Sequence, residues 1–206
     1  MSGQNAYSFV LVGVGGQGTL LASNILAEVG LAAGFDVKKS EVHGMAQRGG
    51  SVLSHVRWNA DGVHSPLVGL GEADILLSFE RMEALRFADF LRVGGTAVVN
   101  DMMVVPITVS SGSAVYPDDR QLAKVFAALD ADLIVVPGER LAQEAGNVKA
   151  ANVVLLGAVS RLLPLPEETW WACLAQRVPK KYLELNHVAF ASGRDAVAPA
   201  PATPQA

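Results

Sequence analysis

Short apolar runs of strand length alternate with longer helical stretches over most of the chain. Largely apolar runs occur at residues 7–12, 73–79, 96–100 and 133–137, and residues 35–42 and 51–58 are predicted to form two further strands. Helical stretches lie between them at residues 19–33, 80–91 and 118–129, and a further one follows the last strand at residues 147–163. Strands that are apolar on both faces are typical of sheets covered by helices on both sides. The order predicts an α/β fold with a Rossmann-like, doubly wound, mostly parallel sheet.

The pattern changes after the last predicted strand. Residues 167–178 and 181–192 form a C-terminal helical extension, with Gly193 as its expected cap, and the Pro- and Ala-rich residues 196–206 have nothing to pack against. We therefore expect a single domain over residues 1–195 and a disordered tail over 196–206. Residues 101–116, rich in Val, Ser and Thr, could form either an edge strand or an extended crossover.

Two of the helical stretches are apolar almost all round. Between Gly18 and Gly34 the sole charge is Glu28, and residues 147–163 carry only Lys149 and Arg161. A helix that merely covers a sheet needs one apolar stripe. These two helices therefore need a second burying surface, for which we favour another subunit over burial against each other or against later helices.

A glycine-rich turn joins the first strand to the first helix. Its sequence is Gly13-Val14-Gly15-Gly16-Gln17-Gly18. Gly13 would allow a tight turn, Gly15 would let a ligand approach the backbone, and Gly18 would let the helix pack close to the strand. The free N–H groups of the helix would then face an anion, which makes Gly13, Gly15, Gly16, Gln17 and Gly18 candidate cofactor-binding residues.

The spacing of this turn alone does not identify its ligand. A dinucleotide site also needs an acid about twenty residues further on, at the end of the second strand. Asp36 opens that strand instead, and Glu41, which ends it, leads into another motif. We therefore favour some other anionic group over NAD or FAD, and a purely structural role for the glycines stays open.

The second motif combines acid, imidazole, amide and guanidinium groups between glycines. It runs from Glu41 to Gly50, and its candidate substrate or partner residues are Glu41, His43, Gly44, Met45, Gln47, Arg48, Gly49 and Gly50. Because it follows a strand, we expect it at the same sheet edge as the first glycine turn. Arg48 could bind an anion through two parallel hydrogen bonds of its guanidinium group, and His43 could change its charge near neutral pH. A purely local structural role is the alternative, and no catalytic residue is assigned.

Composition narrows the functional classes. The net charge is −4 without a block of basic residues, which argues against nucleic acid, and no apolar run is long enough to span a membrane, so we expect a cytoplasmic protein. Cys173 is the only cysteine, too few for an iron–sulfur cluster or a four-cysteine zinc site, and we expect it to be buried and inert. His43 has no second histidine or cysteine nearby, so no metal site is predicted.

The two glycine motifs together resemble the gamma-type domain of the 2-oxoacid:ferredoxin oxidoreductases, and more narrowly the small beta subunit of the indolepyruvate-type members. The resemblance rests on Gly13 to Gly18 and on Ser40 to Val52, and extends to the pairs Leu185-Asn186 and Ala189-Phe190. It implies a heteromeric enzyme in which this chain is an accessory subunit. A large alpha subunit would hold thiamine diphosphate and [4Fe-4S] clusters, convert aryl pyruvates such as indolepyruvate to aryl-acetyl-CoA, and reduce ferredoxin.

The resemblance also implies a ligand for the first glycine turn. The corresponding domain of the wider family is associated with coenzyme A, whose phosphates would suit this turn, while no cofactor is expected to bind tightly to this chain. The gamma subunit of a pyruvate or branched-chain 2-oxoacid enzyme is an alternative within the class. A free-standing nucleotide-binding protein, either a dehydrogenase or a non-catalytic homo-oligomer, is the alternative outside it.

Overall fold

The computed structural model describes residues 5–43, 50–105, 107–113 and 115–197. The strands are β1 (Ala6–Val14), β2 (Asp36–His43), β3 (Ser51–Asn59), β4 (Ala73–Ser78), β5 (Leu91–Asn100) and β6 (Asp132–Val136). The α-helices are α1 (Thr19–Ala32), α2 (Arg81–Arg86), α3 (Ile107–Ser110), α4 (Asp119–Ala128), α5 (Gly138–Glu144), α6 (Ala151–Ser160), α7 (Glu167–Arg177) and α8 (Leu183–Asp195). Single 3₁₀ turns precede β5, α6 and α8 at Ala88–Phe90, Val148–Ala150 and Lys180–Tyr182.

The strands form a six-stranded sheet in the order β2-β3-β1-β4-β5-β6. Strands β1, β4, β5 and β6 are parallel, whereas β3 lies antiparallel between β1 and β2. The prediction of a mostly parallel α/β sheet is confirmed. The insertion of β3 was not predicted, and it leaves β2 running in the same direction as β1.

Helices cover both faces of the sheet, but unequally. On one face the side chains of Phe9, Leu11 and Leu77 pack in a core with α1, α5 and α6, and with α7 and α8 outside them. On the other face the alternate side chains, such as Val10 and Leu76, pack in a smaller core with α2 and α4. The C-terminal helical extension is therefore an outer layer on one face.

The outer layer buries α6, so the predicted need of this helix for another subunit is wrong. Every residue from Asn152 to Ser160 is buried, and α8 crosses α6 at glycines on both helices. Gly193 was predicted to cap the last helix, but it lies within α8, with its α-carbon against the carbonyl of Val154. A glycine is needed there because it alone brings the two backbones this close. The alternative of burial against later helices holds for α6.

Three segments differ from the sequence-based prediction or extend it. The described part of 101–116 contains no strand and only the short α3, which fits the crossover alternative. The predicted helix over 80–91 is shorter, because α2 ends at Arg86 and β5 already begins at Leu91. The described chain continues to Val197, which is buried in the core, and residues 198–206 of the predicted tail lie outside the described residues.

Candidate functional site

The first glycine motif and the two ends of the second lie at one edge of the sheet, the edge at which we expected both motifs. Val14 at the end of β1 pairs with Ser51 at the start of β3, and the Gly15 N–H donates to the Gly50 carbonyl over 2.9 Å. His43 ends β2 opposite Val52. Residues 44–49 of the second motif lie outside the described residues, so the structure places only its two ends at this edge.

The first glycine turn is held to the neighbouring strands by Gln17. Its side-chain oxygen accepts from the Val14 N–H over 2.7 Å, and its side-chain nitrogen donates to the Phe79 carbonyl over 3.3 Å and to the Met102 sulfur over 3.1 Å. Gln17 therefore ties the turn after β1 to the residues that follow β4 and β5. The sequence suggested a ligand contact for this residue, and its observed bonds organise the turn itself.

The glycines of the turn meet different neighbours. Gly13 still belongs to β1, and a Cβ there would come within 2.9 Å of the Phe79 Cβ, so it permits close packing within the sheet edge. Gly18 is the N-cap of α1 with φ 84°, a left-handed conformation that favours glycine. A Cβ at Gly18 would lie 2.6 Å from the side-chain nitrogen of Asn152 on α6. Gly18 thus makes room for Asn152 beside the turn.

Asn100 links the ends of the next strands. Its side-chain nitrogen donates to the Phe79 carbonyl and to Glu139 Oε1, each over 3.2 Å, and its oxygen accepts from the Gly138 N–H over 3.1 Å. Asn100 is 2 % exposed, so these bonds are made away from solvent. They fix the relative positions of β4, β5 and the start of α5.

Between these ends lies a crevice of about 410 Å³. This volume is within the range of sites for small molecules. Its walls come from the turn before α1, the ends of β4 and β5, and the starts of α5 and α6. The lining residues are Gly16, Gln17, Gly18, Phe79, Asn100, Met102, Glu139, Val148, Lys149, Ala151 and Asn152.

The charges around the crevice are few. The first turn of α1 has no acidic residue, and its N-cap Gly18 offers no side-chain acceptor, so the positive end of the helix dipole is not neutralised there. Lys149 lines the crevice without an ion-pair partner in the described ranges, while Glu139 adds one carboxylate to the same lining. The crevice can therefore hold an anion close to α1.

Acidic residues near the second motif have partners of their own. Glu41 accepts from the Ser23 hydroxyl over 3.2 Å and pairs with Lys39 at 2.6 Å. Ser51, which follows the motif, donates to the buried Glu83. These contacts anchor both ends of the motif.

Asp36 lies where it cannot complete a dinucleotide site. It opens β2 opposite Asn59, at the far edge of the sheet from the glycine turn, and accepts from the Val63 N–H over 2.7 Å. The ribose-binding acid of a dinucleotide fold would sit at the end of β2 instead. The structure therefore argues against the dehydrogenase alternative.

Cys173 is buried, as predicted, at 6 % exposure. Burial, and then the nearby Glu28 carboxylate, raise the pKa of its thiol, which disfavours the reactive thiolate. Across the ranges that the structure describes, no group of three or more His, Cys, Asp or Glu side chains could hold a metal ion. Within the same ranges, no helix is both long and apolar enough to cross a membrane.

Several crevice residues escaped the sequence-based prediction because they come from distant segments. Asn100 is the last residue of β5 and Glu139 lies three residues after the end of β6, positions that could have marked them as edge residues. Lys149 and Asn152 carry no such signal, since they belong to a helical stretch far along the chain from the glycine turn.

Comparison with known proteins identifies the class. The family described as pyruvate ferredoxin/flavodoxin oxidoreductase matches residues 8–196. The chain is 42% identical over 197 residues to the indolepyruvate oxidoreductase subunit IorB of Thermococcus kodakarensis, covering 91% of this chain and 94% of that protein. The chain belongs to this oxidoreductase family.

A further relative and a solved structure are also similar to this chain. The IorB subunit of Pyrococcus horikoshii is 40% identical over 190 residues, with 91% of this chain and 94% of that protein covered. Pyruvate oxidoreductase subunit PORC of Thermotoga maritima has a similar solved structure, with a TM-score of 0.70 and 21% identity over 93% of this chain and 97% of that one. At this identity the likeness shows the fold alone.

Proposed function

We propose that this chain is the small accessory subunit of a ferredoxin-dependent 2-oxoacid oxidoreductase that acts on indolepyruvate and similar aryl pyruvates. The assembled enzyme removes carbon dioxide from the 2-oxoacid, transfers the acyl group to coenzyme A and passes the released electrons to ferredoxin. The chain alone does not catalyse this reaction.

The observation that carries the proposal is the likeness to IorB subunits over nearly the full length of both proteins, at 42% and 40% identity. Identity at this level over whole chains supports the same place in an assembly. The alternatives within the class, a pyruvate or branched-chain 2-oxoacid enzyme, are less well supported because these relatives are indolepyruvate oxidoreductase subunits.

The thiamine diphosphate and the [4Fe-4S] clusters belong to a large partner subunit. A [4Fe-4S] cluster needs several thiolates, and this chain has one cysteine, which is buried with a raised thiol pKa. The residues of this chain thus do not fit a cluster. The electrons reach ferredoxin through the partner.

Two features of the sheet edge suit such an assembly. The crevice at the glycine turn is a site for the phosphates of coenzyme A, because it combines the unneutralised N-terminus of α1 with Lys149. The motif from Glu41 to Gly50 ends at Gly50, whose carbonyl accepts from the Gly15 N–H of the glycine turn, and we assign its residues, Arg48 above all, to contacts with the partner subunit or the substrate.

The test of the proposal is a substrate panel. The chain is produced together with the large subunit of the same organism without oxygen, and ferredoxin reduction is followed with indolepyruvate, phenylpyruvate, pyruvate, 2-oxoisovalerate and 2-oxoglutarate, each with coenzyme A. We expect the highest kcat/KM for the aryl pyruvates and no activity from either chain alone. A preference for pyruvate or 2-oxoisovalerate would instead identify the assembled enzyme as a pyruvate or branched-chain 2-oxoacid oxidoreductase.

A further inference from the structure

The C-terminal end of the second motif is held by a buried carboxylate. Ser51, which follows the motif and begins β3, donates its hydroxyl to one oxygen of Glu83 on α2. Glu83 is 5 % exposed, and its other oxygen pairs with Arg86 at 3.1 Å. The preceding residue, Gly50, accepts from the Gly15 N–H over 2.9 Å. The contact of Ser51 therefore fixes the chain where the motif enters the sheet, beside the first glycine turn.

A second buried carboxylate, that of Glu80, holds the helix that carries Glu83. Glu80 is the N-cap of α2 and 1 % exposed, and one of its oxygens accepts from the Glu83 N–H over 2.9 Å. Its other oxygen accepts from the Val104 N–H over 3.0 Å and from the Tyr116 hydroxyl. Shorter side chains are the usual N-caps, whereas that of Glu80 reaches the next loop as well. A chain of contacts thus runs from Ser51 through both carboxylates to the segment after β5.

Stability alone does not account for two buried carboxylates at this place. Burial of a charge costs free energy that its partners only partly offset, so apolar side chains of similar volume are often at least as stable. Helix α2 already packs on the sheet through Ala84 and Leu85. Buried hydrogen-bonded groups instead favour a single arrangement, because their contacts are satisfied in one geometry. The contact between Ser51 and Glu83 therefore gives the end of the motif a defined place.

The two ends of the motif are anchored on opposite faces of the sheet. Glu41 at its start accepts from the hydroxyl of Ser23 on α1, the helix that packs on one face. Ser51 at its end contacts Glu83 on α2, the helix that packs on the other. Both chain ends from which the motif starts are therefore fixed, each by a different helix.

We propose that Glu83 is a positioning residue of the assembled enzyme. Through Ser51 it fixes the end of the second motif, whose Arg48 lies three residues earlier in the sequence, for contact with the partner subunit or the substrate. Glu80 supports Glu83 by holding α2 to the segment after β5. The inference rests on the proposed function for the role of the motif, though not for the contact itself.

Kinetics of the assembled enzyme with indolepyruvate, coenzyme A and ferredoxin test this role. Ser51→Ala removes the donor, and we expect kcat/KM for indolepyruvate to fall about tenfold, the effect of losing one hydrogen bond to a charged group. Ser51→Thr keeps a hydroxyl and should keep most of the activity. Glu83→Gln keeps an acceptor oxygen without the charge, so its activity should lie between these two. Wild-type activity of Ser51→Ala would overturn the inference, and so would an equal loss in Ser51→Thr.

Ser54→Ala is the matched control. Ser54 lies three residues further along β3, on its other face, and its buried hydroxyl makes no hydrogen bond to any part of the chain that the structure describes. Its removal should leave kcat/KM unchanged. A loss in Ser54→Ala as large as that in Ser51→Ala would contradict a positioning role, because either hydroxyl would then matter only for the packing of the strand.

A double-mutant cycle with Arg48 separates positioning from a general structural role. If Glu83 acts through the motif, the loss caused by Ser51→Ala should shrink to less than about twofold in the Arg48→Ala background, because the contact then has less to position. A structural role would lower the activity by the same factor in both backgrounds. Equal factors, or full activity of Arg48→Ala beside a reduced activity of Ser51→Ala, would refute the assignment.

Hydrogen exchange of the chain alone, followed by NMR, gives a readout that does not depend on the assembly. Without the contact of Ser51, Gly50 should hold Gly15 less firmly, so the Gly15 N–H should exchange at least about tenfold faster in Ser51→Ala, while that of Ile25 within α1 should not change. If the chain forms no complex with a thiamine- and iron-containing subunit but this exchange changes as described, the proposed function fails and the positioning of Gly50 stands. If the complex is active on indolepyruvate and Ser51→Ala changes neither activity nor exchange, the positioning role fails and the proposed function stands.

Discussion

The crossing of α6 and α8 predicts a strong effect of a single methyl group. A Cβ at Gly193 would lie 1.8 Å from the carbonyl oxygen of Val154, whereas real Cβ atoms do not come within 3.0 Å of such a group. The neighbour is backbone, so no side-chain rotation relieves the contact. In Gly193→Ala the two helices must therefore separate by more than about 1 Å.

The loss of stability in Gly193→Ala is the result of two opposing effects. Overpacking of a well-packed core costs about 1–3 kcal/mol, and a backbone contact belongs at the upper end. Alanine returns about 1 kcal/mol through its higher helix propensity. We expect the free energy of unfolding to fall by about 2 kcal/mol or more, a large part of the usual stability of about 5–15 kcal/mol.

Urea unfolding followed by tryptophan fluorescence measures this loss, because Trp170 on α7 packs 6.3 Å from the Phe190 ring on α8. The midpoint should fall by about 1 M. Ser192→Ala is the matched control, since its hydroxyl donates to the Val188 carbonyl of the same helix, and its midpoint should stay near wild type.

A second glycine tests the same geometry. A Cβ at Gly157 would lie 2.1 Å from the Phe190 carbonyl oxygen, so Gly157→Ala should destabilise in the same way. The double variant should lose less than the sum of the single losses, because one opened crossing accommodates both methyl groups. A Gly193→Ala protein as stable as wild type would refute the packing of α6 against α8.

Three further predictions concern other parts of the chain. Gly30→Ala should lower the unfolding midpoint despite the better helix propensity of alanine, because its Cβ would come within 2.5 Å of the buried Trp58 ring; a raised midpoint would contradict this. Burial lowers the pKa of His55 below 6.5, so as the pH drops the unfolded chain takes up this proton at a higher pH than the folded chain does. The free energy of unfolding should therefore fall as the pH drops through 6.5, and it should fall less steeply in His55→Asn. Arg48→Ala should reduce the activity of the assembled enzyme without changing the unfolding midpoint of the chain. The control variant Arg140→Ala, at an exposed position, should change neither the activity nor the midpoint. Full activity of Arg48→Ala would show that Arg48 is not part of the site.

The sheet was largely predictable because its central strands are apolar on both faces. The runs around Val10, Leu76 and Val98 are buried strands, and the glycine turn after β1 follows from its spacing and position. The placement of β3 between β1 and β2 was not predictable, since local sequence fixes the strand and not its neighbour.

The candidate site was predictable only at the glycine motifs. Gln17, Asn100 and Asn152 come from three distant segments, and only the folded sheet edge brings them together. The prediction that another subunit buries α6 was wrong for a related reason. A helix that is apolar all round, such as α6, is expected to be buried, but its sequence does not show which element buries it. The glycines that allow α8 to pack closely against α6 resemble helix breakers or caps in the sequence, as Gly193 did.

The proposed role of this chain as an accessory subunit can be tested on the native protein. The most direct measurement is to purify the untagged chain from its own cells without oxygen, determine the native mass, and assay iron and thiamine diphosphate in the same fractions. We expect a complex with a large subunit that contains both. A homo-oligomer of this chain with neither iron nor thiamine diphosphate would contradict it.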